Sequence, residues 1–151
     1  MDEFAPKARF DAIAEMLKLD EPALDSIRYS VNTLLPKLGE LAGMWDETLR
    51  GQGAGQVIGD IPAPQRAELQ SRLASFIMRA ISCVFDDAFC DYAQDFARDP
   101  AIPPRVIPVA LDVAFEFVVK NLAAKIDDPR KLKEALVAWN RLICTLREFA
   151  A

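Results

Sequence analysis

The stretch Phe96–Val118, FARDPAIPPRVIPVALDVAFEFV, decides how this chain folds. Its first part holds Pro100, Pro103 and Pro104. The residue before a proline is pushed away from helical backbone, and proline itself is tolerated in a first helical turn. The prolines therefore stop one helix and start another. From Arg105 to Ile126 the chain is apolar on most sides, with a polar stripe of Asp112, Glu116 and Lys120 spaced by four. A helix of that kind belongs at the centre of a helical domain.

Working outward, every other long segment has helical period and none alternates with period two. Lys7 to Leu17 carries Phe10, Ile13, Met16 and Leu17 at helical spacing, within an N-terminal extension helix over residues 1–19. Asp20 is an N-cap candidate, and Pro22 fits the first turn that follows. Leu24, Ile27, Val31, Leu34, Leu38, Leu41 and Trp45 form a three-four seam, which Pro36 should bend or split. Residues 50–62 read as a mobile loop. Five of the six glycines lie between Gly43 and Gly59, and Pro62 then opens the next helix. GQGAGQVIG in this loop is not a phosphate loop, because no Gly-Lys-Ser/Thr follows and no strand precedes it.

Leu69, Leu73, Phe76, Ile77, Ala80, Ile81 and Val84 make the next apolar face. A short segment, Phe85 to Phe96, follows. After Asp127-Asp128-Pro129, with Asp128 as N-cap, the last helix shows the seam Leu132, Ala135, Trp139, Leu142, Leu146 and Phe149. These elements predict one all-α domain over residues 1–151.

Composition narrows the function. The 151 residues are 52% hydrophobic and 27% charged, which suits a single packed domain. The net charge of −5 argues against nucleic acid, since affinity for phosphate comes from clustered lysine and arginine. Arg130, Lys131 and Lys133 are the only tight basic group, and they read as a solvated helix start. The start MDEFAPKARF has no apolar core typical of a signal peptide, and Val106–Val119 is too short to span a bilayer. Three cysteines, Cys83, Cys90 and Cys144, without a Cys-x-x-Cys, predict free thiols in a reducing compartment. These points predict a cytoplasmic protein without membrane association.

The chain has no histidine. Histidine-based triads, dyads and metal sites are thereby excluded. Asp87, Asp91 and Asp95 would line one helical face beside Asp86, where a solvated face is the expected role. Cys83 and Cys90 would share a face if their helix were continuous, as a buried structural pair. No catalytic or metal-binding constellation emerges, and Trp45 and Trp139 lie in apolar seams.

Four segments, in order, resemble the globin-coupled sensor family. PKLGELAGMW with DETL, residues 36–49, is similar to the second half of that family's joined A and B helices. MLKLDEPALDSIR, residues 16–28, resembles its pre-A helix and link. ISCVFDDAF, residues 81–89, is similar to the turn leading to the haem-facing helix. IPPRVIPVALDVAFEFV, residues 102–118, resembles the start of its G helix. The resemblance implies a globin-like three-over-three helical sandwich with an N-terminal pre-A helix.

It also implies a proximal histidine before the Pro-Pro turn, where this chain has Phe96 (or Ala97 without one inserted residue). At the distal tyrosine position stands Asp46. The chain thus resembles the haem-free globin domains of stressosome scaffold proteins, with no cofactor. The implied function is non-enzymatic: a regulatory sensor or interaction domain. Trp45, Phe76, Phe89, Phe96 and Phe115 would line the former haem pocket. Leu132, Trp139, Leu142 and Leu146 would pair the last two helices with those of a second subunit. A signalling partner or an output domain outside this chain would receive the signal. Three alternatives stay open: a sensor of an apolar molecule such as a fatty acid, with Arg79 or Arg98 at the pocket mouth; a haem-binding oxygen or redox sensor ligated by Cys90 or Met78; and a helical adaptor unrelated to globins.

Overall fold

A computed structural model describes residues 5–151 and shows an all-α architecture, with no strand among the described residues. The helices are α1 (Pro6–Met16), α2 (Glu21–Leu34), α3 (Leu38–Arg50), α4 (Ala54–Val57), α5 (Ala63–Ile81), α6 (Asp87–Arg98), α7 (Val106–Lys125) and α8 (Pro129–Ala150). The first four residues of the expected N-terminal extension lie outside the described residues.

Local chemistry sets the boundaries. Asp20, Asp86 and Asp128 cap α2, α6 and α8, their carboxylates accepting from Ala23 N at 3.1 Å, Phe89 N at 2.9 Å and Arg130 N at 3.0 Å. Each cap satisfies a donor that the helix itself leaves without a partner. Pro36 splits the long seam helix through a 3-10 turn, Leu35–Lys37. The glycine-rich segment holds the single turn α4 between Gly53 (φ +89°) and Gly59 (φ +98°), both in the left-handed region that glycine adopts freely. Asp99 accepts from Ala101 N at 2.8 Å and shapes the turn before α7.

Helix α7 is central. It packs against α8, α2 and α3, and buries residues around most of its circumference, including Val106, Leu111, Phe117 and Leu122. The polar stripe is tied down at the surface. Lys120 pairs with Glu40 at 2.8 Å and Asp112 pairs with Arg147. Helix α1 docks on α6 and α8 through Phe10, whose ring meets Phe89 at 6.0 Å and Phe149 at 5.3 Å.

Two buried indoles cross-link the core. Trp139 on α8 donates from Nε1 to Ser30 Oγ on α2 at 2.7 Å, and Ser30 donates in turn to Ser26 O at 2.9 Å. Trp45 on α3 donates to Ala110 O on α7 at 3.1 Å. Both donors would be costly in an apolar interior without those acceptors.

Helix α1 ends in a Schellman motif. Leu19 N donates to Ala14 O at 2.8 Å and Lys18 N to Glu15 O at 3.2 Å. The left-handed position is Lys18, at φ +60°. A left-handed residue with a Cβ carries a penalty of roughly 1–2 kcal/mol. Lys18→Gly should stabilise the protein by about 0.5–1 kcal/mol after the entropy glycine adds to the unfolded chain. A higher urea midpoint at unchanged m-value is the expected result.

Candidate functional site

The region around Phe96 is where the resemblance places ligand chemistry. Helix α5 presents Arg72, Phe76 and Arg79 on one face, and α6 answers with Phe89, Tyr92 and Phe96. Phe96 stacks on Phe76 with centroids 5.1 Å apart and planes 10° from parallel. Phe76 also contacts Phe89 and Tyr92, each with centroids at 6.4 Å. Two guanidiniums flank the stack. Arg72 Cζ lies 5.2 Å from the Phe96 centroid and Arg79 Cζ lies 3.9 Å from that of Tyr92. Each places positive charge over an aromatic face, a favourable arrangement.

Arg72 does a second job. It pairs with Asp99 at 2.8 Å, in the proline-rich turn. The Ala101 amide, and then Arg72, hold the Asp99 carboxyl below its usual range. The turn is thus anchored to α5 through a residue that also covers Phe96. Periodicity alone did not point to Arg72, because its partners lie on another helix and in a loop.

Phe96 is buried, with 3% of its surface exposed. Asp46 lies at the seam of α3 and α5. It pairs with Arg50 at 2.6 Å and accepts from Gln70 Nε2 at 2.8 Å, so its charge stays near water. The residues do not fit a haem. The slot between α5 and α6 is filled by the stacked rings. Met78 faces outward with 45% of its surface exposed. Cys90 is buried close to Lys7 and Asp11 of α1, and burial pushes its thiol up to about 11. Among the described residues no group of three or more cysteine, aspartate or glutamate side chains is placed to hold a metal ion.

The interior void lies elsewhere, between α2, α3, α5, α7 and α8. It measures about 20 Å3 and is lined by apolar side chains, among them Leu34, Leu38, Ile77, Phe117, Trp139 and Leu142. A space of that size admits at most one water by volume, and its walls offer no polar partner. None of the five expected lining residues borders it. Trp45, Phe76, Phe89 and Phe96 are packed in the core, and Phe115 is only half-buried, its place taken by Phe117.

Most of the seam expected to pair two subunits points into the protomer. Trp139, Leu142 and Leu146 have at most 2% of their surface exposed and border this void inside the protomer. Leu132 is half-buried against the same core. Trp139, Leu142 and Leu146 are therefore used in the protomer's own core, and of the four only Leu132 reaches the surface. Arg79 and Arg98 do not border this void. Arg79 covers Tyr92, and Arg98 borders a surface hollow with Arg72, Asp95 and Pro100.

Cys83 and Cys90 are both buried, as expected, but the helix between them is not continuous. Helix α5 ends at Ile81 and α6 begins at Asp87, so Cys83 and Cys90 share no helix. Cys83 sits at φ +59° in the intervening turn, buried, and burial raises its thiol pKa. All three cysteines are free thiols. Asp87, Asp91 and Asp95 lie on α6 and, with the cap residue Asp86, are all exposed to solvent. No helix among the described residues is long and apolar enough to cross a membrane.

Phe96→Ala should destabilise the protein by about 3–5 kcal/mol in urea titrations, through lost burial and the cavity left beside Phe76. Asp46→Ala, at a surface pair, should change stability by less than about 1 kcal/mol. Cys90 gives a pH prediction. Its folded pKa is raised above the unfolded value of 9.0 to about 11, so the protonated thiol stabilises the fold below pH 9. That contribution is lost as pH rises from about 9 to about 11. Stability measured against pH should fall over this window more steeply in the wild type than in Cys90→Ala. Against known proteins this site stands on its own geometry: no family model, curated protein or solved structure matches the chain.

Proposed function

We propose that this protein is a non-enzymatic regulatory interaction domain with a globin-like arrangement of helices that has given up haem ligation. The stack of Phe96 on Phe76 carries the reading. At the place where the globin-coupled sensor resemblance puts an iron ligand, this chain puts a ring that closes α6 onto α5. The packing of α2 on α8, α3 on α7 and α7 on α8 supports the globin-like arrangement. Surface hollows apart, the interior void of about 20 Å3 favours interaction over capture of a fatty acid, which would require a pocket of several hundred Å3. The role that remains for such a domain is to present a surface to another protein.

The test uses purified full chain. Titrated hemin should give no Soret band beyond that of free hemin, and palmitate should leave the thermal midpoint unchanged. A stoichiometric Soret band, or a saturable rise of several degrees with palmitate, would sink the reading. Phe96→His is the sharper variant: it should lose stability without acquiring haem, because Phe76 still fills the slot.

A further inference from the structure

The basic start of α8 gains a second side in the structure. Helices α2 and α8 pack together, and at their crossing both present small residues, Ala23 and Ser26 against Ala135 and Ala138. Small side chains there leave two adjoining surface hollows of about 560 and 270 Å3, which share Ser26 and Glu134. The floor of the larger is Pro22, Ala23, Val137 and Ala138, and its charged lining is Arg130, Lys133, Glu134 and Arg141. The smaller adds Lys131 and Tyr29. Val137 and Tyr29 keep 40% and 68% of their surface exposed.

The four basic side chains of the groove outnumber its two carboxylates, Asp25 and Glu134. Asp25 is engaged by Arg28 at 3.1 Å. Glu134 meets Arg130 at 3.7 Å with both side chains largely in water, a contact worth little. Lys131 and Lys133 make no ion pair among the described residues. In a chain of net charge −5, this face is therefore locally cationic over an apolar floor. An acidic partner is repelled by most of the surface and attracted here, which selects the face as well as the ligand.

We propose that the α2–α8 groove docks an acidic amphipathic helix of a partner protein. Carboxylates on its flanks would meet Arg130, Lys133 and Arg141. A bulky apolar side chain would sit on the floor at Ala138 and Val137, the helix-in-groove mode of recognition. This assignment rests on the interaction-domain reading and names its surface.

The experiment uses the full chain and three fluorescein-labelled probes: a glutamate-flanked amphipathic helical peptide with a leucine stripe, the same peptide with lysine for glutamate, and a single-stranded DNA oligonucleotide. Fluorescence anisotropy should show the acidic peptide binding at least about tenfold tighter than the basic one, and more weakly as salt rises. Arg130→Glu with Lys133→Glu should weaken it by at least about tenfold, since both residues are exposed and their change spares the core. Val137→Glu should also weaken it, and circular dichroism should show all variants folded. Equal binding of both peptides, indifference to these substitutions, or preference for DNA would overturn the assignment. Self-association of the wild type that the same variants abolish would overturn it too, making a second copy the occupant. Hemin separates the two levels. Stoichiometric uptake removes the interaction reading itself, whereas no uptake with no peptide binding removes only the groove.

Discussion

The contact between Phe76 and Phe96 governs what the rest of this molecule can be. Two rings 5.1 Å apart and nearly parallel bring α6 against α5 and leave no slot between them. Arg72 extends the effect to the next segment, because the guanidinium that covers Phe96 also holds Asp99. The proline-rich turn is thereby placed, and with it the start of α7. Since α7 packs against α2, α3 and α8, the position of a single aromatic pair propagates to the centre of the domain. A side chain able to bind iron in place of Phe96 would give up this stack.

Closure on that side has a counterpart on the other. The seam of α8 is turned inward, and Trp139, Leu142 and Leu146 border the one small dry void described between five helices. What faces out from the same helix is basic and sparse in apolar groups, apart from Val137. The interior thus uses up the residues that would have made a greasy pairing face. On the proposed reading, recognition falls to charge on a shallow surface, a division of labour suited to reversible contacts more than permanent ones.

Much of this was legible in the residues. Asp20 and Asp128 announced helix starts, Pro36 announced a break, and the apolar run after Arg105 announced a central helix. Each of these is a local rule acting on nearby backbone. The failures share a different cause. Helical period identifies a face, not what the face meets, so the α8 seam read equally well as core or interface. Phe115 and Phe117 differ by two positions on one helix, and only packing decides which points inward. Whether Cys83 and Cys90 shared a helix stayed open because the left-handed turn at Cys83 carries no glycine to signal it. Asp46 could be placed only by position along the chain, because Gln70, which donates to it, lies on another helix. The groove between α2 and α8 had no sequence signature, since its halves lie about a hundred residues apart.

The paired indoles also give the protein a built-in optical readout. The two tryptophans of the chain are both buried and both hydrogen-bonded, but to different helix pairs: Trp45 joins α3 to α7 and Trp139 joins α8 to α2. Removing either one leaves a chain whose remaining emission reports on a single helix–helix contact. Comparing the two single-tryptophan chains would show whether the halves of the core come apart together or in sequence. Any partner that pulls on α2 or α8 would then be visible as a change in the light from Trp139 before it disturbed Trp45.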